Sequence, residues 1–132
     1  MPTRSLNDAV KELRDAYELA KLGYAVTYPG QPQPFITCVY RSPEEQLELY
    51  AQGRTKPGPI VTQLKSGSKH NTLPSRAIDI AFMQNGKLTW DKKHFINFAA
   101  IMKSMNAAIK WGGDWKKFMD YPHFEKIGRA HV

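Results

Sequence analysis

The chain has 132 residues, a single cysteine, and nineteen Lys and Arg against twelve Asp and Glu, for a net charge of +7. That length suits one domain over 1–132, large enough to bury a core and too short for two substantial ones. No run approaches the roughly 18 apolar residues of a membrane span. The N-terminal MPTRSLNDAVKEL lacks the apolar core of a signal peptide, so synthesis and folding in the cytosol are expected. The positive charge favours polyanionic surroundings such as nucleic acid, an anionic membrane or a phosphate-rich cell wall. The basic residues are scattered rather than clustered with aromatics, which weighs against nucleic acid.

In chain order, Ser5 and Asp8 resemble a capping box, and Leu6, Val10, Leu13, Tyr17 and Ala20 recur at helical spacing. An amphipathic helix ending near Gly23 is expected, followed by a Pro- and Gly-punctuated loop or short edge strand. FITCVY at 35–40 is β-branched and aromatic like a buried strand, with Cys38 as packing. Ser42 and Pro43 suit the start of a second helix, with Glu44 and Glu45 in its first turn and Gly53 at its end. Residues 54–69 read as loop, with PIVTQL as a possible extended piece. RAIDIAF alternates, with Ile78, Ile80 and Phe82 on one face and Ala77, Asp79 and Ala81 on the other. The Asn85-Gly86 pair behind it signals a hairpin. Asp91 can cap a longer helix whose core stripe is Phe95, Phe98, Met102, Met105 and Ile109. The aromatic, glycine-containing stretch after it fits neither a clean helix nor a long strand.

His70, Asp79 and His123 together offer two nitrogens and one oxygen, a ligand set that leaves a fourth zinc position for water. An aspartate within an apolar strand is costly unless paired or coordinating, although an edge strand with a wet outer face would also tolerate it. Asp120, three residues before His123, is either a proton-transferring acid beside the metal or a solvated loop acid. Arg41, at the end of the FITCVY strand, is either an oxyanion holder or a surface ion-pair partner. His94 is expected to face solvent or a helix groove, and His131 lies at a terminus that frays. Ser68 has no triad partners and reads as a hydrogen-bond donor or a plain loop residue.

The order CVYRSPEEQLELYAQGRT, SKHNTLPSRAIDIAF and WGGDWKKFMDYPHFE resembles the zinc L-alanyl-D-glutamate peptidases of phage endolysins. These sit within the wider D-alanyl-D-alanine carboxypeptidase and Hedgehog-like group. The resemblance implies zinc on His70, Asp79 and His123, an acid or base at Asp120, and substrate contact by Arg41. Ser68 and Gln46 match a serine beside the first ligand and a recurrent helix glutamine, both supporting, while Glu125 either orients His123 or faces solvent. In the family pattern the first two ligands stand closer together with a glycine between them; here they are nine apart, across NTLPSR.

The expected fold is α+β, a small mainly antiparallel sheet with packed helices. The expected activity is hydrolysis of the L-Ala–D-Glu bond of peptidoglycan stem peptides by zinc-activated water. A D-Ala-D-Ala carboxypeptidase or dipeptidase and a non-catalytic zinc-bearing binding domain are the alternatives. A monomer is expected, held in the host cytoplasm until lysis and then acting on the anionic wall, with no nucleic-acid partner.

Overall fold

The computed structural model describes residues 2–127. Among them, an antiparallel sheet of five strands is covered on one face by two helices, and a third, short helix follows the first strand. The strands are β1 (Gln33–Cys38), β2 (Ala77–Gln84), β3 (Lys87–Thr89), β4 (Ile109–Trp111) and β5 (His123–Lys126). The helices are α1 (Lys11–Thr27), α2 (Pro43–Ala51) and α3 (Lys92–Met105). Strand order is β1-β2-β5-β4, with β3 also paired to β2, so the strand bearing Asp79 is interior and the wet edge-strand alternative fails.

The alternation in RAIDIAF decides which face does what. Ile78, Ile80 and Phe82 are fully buried against α1 and α3, where Tyr17, Tyr24, Phe95, Phe98 and Phe124 complete an aromatic core. Truncating one such buried ring to alanine typically costs about 3–5 kcal/mol, so the sheet under the site is held firmly. Asp79 therefore points to the opposite face. The Asn85-Gly86 hairpin forms as expected, with both residues at positive φ (54° and 77°). Among the described residues no helix is long and apolar enough to cross a membrane.

Four local expectations are corrected by tertiary contacts. Ser5 caps a separate 3-10 turn, Leu6–Asp8, because Ala9 and Val10 are pulled extended to pair with Ser75. The helix proper starts at Lys11 and runs through Gly23 to Thr27, where α1 packs along α3. Packing of α1 on α3 offsets the roughly 1 kcal/mol that an interior glycine costs a helix. Ile109 lies in β4 rather than on α3, and Met105 is half-exposed. His94 is buried, its ring tilted over Phe82 at 5.5 Å rather than facing solvent. His131 lies outside the described residues.

Helix α2 forms as expected: Ser42 and Glu45 make a reciprocal capping box with Pro43 in the first turn. Its one fully buried side chain, Gln46, faces the functional side of the sheet.

Candidate metal and acid site

The register sets the site. Cys38 and His123 flank Asp79 on its two neighbouring strands, so three chemically active side chains share one row of the sheet. His70 reaches the same row from a short 3-10 turn, Lys69–Asn71, capped by Ser68. The Ser68 hydroxyl is nearly buried and accepts from the His70 backbone N–H at 3.2 Å, so its role is as an acceptor that shapes the turn rather than the donor expected. Asn71 closes the turn by accepting from the Ser68 N–H and donating to the Arg41 carbonyl at 2.8 Å.

The longer NTLPSR segment bulges away from the site. Ser75 is tied to the N-terminal segment through Asp8 and Val10, and its hydroxyl donates to the Val39 carbonyl at 2.7 Å. The extra residues are absorbed there, and His70 still stands against Asp79.

Asp79 Oδ1 lies 3.2 Å from His70 Nε2 and 3.2 Å from His123 Nδ1. The far nitrogens are held from behind. His70 Nδ1 donates to the Val39 carbonyl at 2.8 Å, and His123 Nε2 donates to Glu125 Oε1 at 2.7 Å. A donor on the far nitrogen directs the lone pair of each ring inward, towards Asp79. The Nε2 of His70 is buried and, despite its proximity to Asp79, is not aligned for a hydrogen bond. Buried polar atoms are seldom left so.

Among the described residues, two overlapping groups of metal-ligating side chains occur: Cys38, His70 and Asp79, and Asp79, Asp120 and His123. In each group the donor atoms lie within 4.8 Å of one another. The Cys38 sulfur is 3.7 Å from Nδ1 of His70, on the side of the ring already engaged with Val39, and accepts from Arg41 Nη2 at 3.6 Å. Packing, the role expected for it, is therefore joined by contact with the site.

Arg41 Nη2 is 3.7 Å from Asp79, and Nη1 donates to the buried Gln46 at 2.8 Å. Gln46 in turn donates to the Leu64 carbonyl at 2.6 Å, tying α2 to the 54–67 loop. Arg41 is thus mostly buried at the site, not a surface ion-pair partner.

Burial works against the charged form of His70, but the nearby Asp79 charge outweighs it and raises the imidazole to about 10. Burial likewise opposes a charged His123, and its contacts with Asp79 and Glu125 raise it to about 9. Burial alone would raise Asp79, yet the two imidazoles hold it well below the usual carboxylate range. Asp120 is raised, first by burial and then by the Asp79 charge.

These shifts set a stability profile for the metal-free protein. Each raised histidine contributes stability that is fully present below its unfolded value near 6.5 and lost as pH rises through about 9 to 10. The depressed Asp79 contributes above about pH 4 and loses its share on acidification. The melting temperature of metal-free protein will therefore fall as pH rises from about 6.5 through 9, and added divalent metal will suppress the fall. A flat profile would mean that the two imidazoles are neutral without metal.

Glu125 and Lys69 were not legible as a unit. Lys69 Nζ is 3.1 Å from Glu125 Oε2, so the turn carrying His70 is tied to the strand carrying His123. Glu125→Gln keeps the shape but weakens the orienting acceptor. It should bind metal about 10–100-fold more weakly in chelator competition, with the circular dichroism spectrum unchanged. Unaltered affinity would reduce Glu125 to an ion-pair partner of Lys69.

The site opens into a cleft of about 1020 Å³. Half-exposed Ile60, Val61 and Leu64 line it from one loop, and Trp115, Phe118 and Met119 from another. Trp115 also packs its ring against His123 at 5.1 Å.

An interior strand that presents ligating side chains to a cleft beside a raised acid is the architecture of a hydrolytic enzyme. The chain matches the pattern of the D-alanyl-D-alanine carboxypeptidase family of M15 peptidases over residues 62–126. It is 37% identical over 138 residues to the peptidoglycan L-alanyl-D-glutamate endopeptidase CwlK of Bacillus subtilis (strain 168), spanning 96% of this chain and 77% of that one. Its fold is similar to the crystal structure of the Serratia marcescens L-Ala D-Glu endopeptidase ChiX, with a TM-score of 0.71, 23% identity, and 96% and 89% of the two chains covered. The chain belongs to this family of M15 peptidases.

Proposed function

We propose that the protein hydrolyses the L-Ala–D-Glu bond of peptidoglycan stem peptides, with zinc held by His70 Nε2, Asp79 and His123 Nδ1. The carrying observation is that Asp79 Oδ1 stands 3.2 Å from each of two inward-facing imidazole nitrogens, with Asp120 beside them. Two zinc bonds of about 2 Å at a tetrahedral angle separate their ligand atoms by about 3.3 Å, which the two aspartate–histidine spacings fit, while the two histidines fall in separate donor groups that share Asp79. The buried Nε2 of His70, without a hydrogen-bond partner, supports the same reading.

When bound, zinc supplies a Lewis acid that polarises the scissile carbonyl and acidifies water. The chain's own groups do the rest. Asp120 takes the proton from the attacking water and delivers it to the departing D-Glu amine, a transfer favoured by its raised pKa. Arg41, held by Gln46, presents its guanidinium to the carbonyl oxygen as negative charge develops there. Glu125 and the Val39 carbonyl keep both imidazoles oriented.

In the same reading the enzyme acts on the wall after release from the host cytoplasm by lysis, as phage endolysins do, and its +7 charge aids adsorption. Adsorption that did not weaken with salt would contradict the electrostatic part.

The test is digestion of purified peptidoglycan by wild type and His70→Ala, with mass spectrometry of the products. New D-Glu amino termini from wild type alone are expected. Release of single D-Ala would instead favour the carboxypeptidase activity for which the family is named, and no release from either protein would leave a non-catalytic binding domain.

A further inference from the structure

The cleft has two unlike ends, and the strand registers order them. Along β2, Ala77 faces Glu125, Asp79 faces His123, and Phe82 faces Thr89 of β3. Trp90 directly follows Thr89, whose partner Phe82 lies three residues beyond Asp79, or about 10 Å along the sheet. Arg41 and Lys69 lie at the other end: Arg41 N–H bonds the His70 carbonyl, and Lys69 pairs with the Glu125 that faces Ala77. A polar end, where Arg41 and Lys69 are paired with Asp79 and Glu125, and an aromatic end thus flank the ligating row.

Trp90 lines the cleft and is 55% exposed. One face stacks nearly parallel on Phe95, at 6.1 Å and 10°, and Phe95 is itself buried in the core. The indole is therefore braced from behind, with its other side available within the same cleft as His70, Asp79 and Asp120. A braced, half-exposed aromatic surface inside a ligand cleft is a platform for a flat, partly apolar group.

The cleft volume also exceeds what an alanyl-glutamyl unit would fill, since about 300–1,000 Å³ accommodates drug-sized ligands. Given the proposed reaction, on which this inference rests, the substrate itself is polar in the matching sense. Its carboxylates lie on the D-Glu side of the scissile bond. On the L-Ala side a short lactyl ether leads to the pyranose ring of N-acetylmuramic acid, which offers a flat C–H face.

We propose that Trp90 forms a glycan subsite, stacking the N-acetylmuramoyl ring on the L-Ala side, while the Arg41 and Lys69 end receives the acidic remainder of the stem peptide. The enzyme then selects stem peptides still attached to the glycan over free peptides.

The test compares kcat/KM for N-acetylmuramoyl-L-Ala-D-Glu and N-acetyl-L-Ala-D-Glu, which share the amide at L-Ala and differ in the sugar. Wild type should prefer the muramoyl substrate by about 10-fold or more, and Trp90→Leu should bring that ratio to within about twofold of unity. Trp90→Phe, which keeps a ring on Phe95, should give an intermediate ratio and decides the matter if the leucine variant does not fold. No preference in wild type, or a ratio unchanged in the variants even when both rates fall together, overturns the subsite and leaves the bond specificity standing. Failure of wild type to cleave either substrate, with no new D-Glu amino termini from intact wall, removes the underlying reading and the subsite with it.

Discussion

Asp120→Asn will lower kcat on muropeptides by about 10²–10⁴-fold while leaving metal content unchanged. The asparagine side chain nearly preserves shape and hydrogen-bonding capacity, but it cannot accept and return a proton. The carboxylate is well placed for that task, within 4.8 Å of donor atoms on both Asp79 and His123. Its backbone is fixed from below, because the Asp120 N–H donates to the Gly112 carbonyl at 3.0 Å. A Cβ on Gly112 would come to 2.2 Å from the Asp120 carbonyl oxygen, so the glycine is what allows this close approach. On the other side Phe118 holds a positive φ of 53°, which is uncommon for a bulky residue and bends the chain just before the acid. Steady-state kinetics with metal analysis of the same samples separates the outcomes. Retained turnover would remove Asp120 from proton transfer, and loss of metal with turnover would make it a ligand instead.

What the sequence disclosed follows from where the information is stored. Asp79 was legible because a carboxylate in the middle of RAIDIAF violates the apolar alternation unless something holds it, and the structure supplies two imidazoles and Arg41. The hairpin at Asn85-Gly86 and the capping box of Ser42 and Glu45 were legible because they depend on residues a few positions apart. The start of α1 was not, since the pull of Ser75 on Ala9 and Val10 acts across more than sixty positions of sequence. The orienting group behind His70 was hidden for a different reason: it is the main-chain carbonyl of Val39, and any residue there would provide one. Trp90 gave no signal either. A tryptophan after a short strand looks like core, and only the fold shows that it rests on Phe95 and lines the cleft. The NTLPSR departure, which put the ligand spacing in question, turns out to be a matter of where the slack goes. Ser75 anchors it at the N-terminal segment, and Asp79 remains in register with His123.

Asp79→Asn should abolish both metal binding and hydrolysis while the fold persists. Its Oδ1 is the atom shared by both histidine contacts, so replacing the carboxylate removes the negative charge around which the donor set is arranged. An amide oxygen is a poor zinc ligand beside a carboxylate, and the neighbouring Arg41, 3.7 Å away, would lose its counter-charge. The strand has reason to survive: Asp79 is paired through its backbone to Cys38 on one side and His123 on the other, and the opposite face of β2 is locked into the aromatic core. Without the carboxylate the pKa values of the two imidazoles will fall from about 10 and about 9, His70 the more because Glu125 still pairs with His123. The variant should therefore show a shallower decline in melting temperature above about pH 6.5 than metal-free wild type, with the part due to Glu125 and His123 remaining. Metal analysis, hydrolysis of peptidoglycan and melting curves across pH then read three consequences of one substitution. A variant that kept both its metal and its activity would reduce Asp79 to the ion-pair partner of Arg41 and require the ligand set to be drawn from Asp120 and His123 instead.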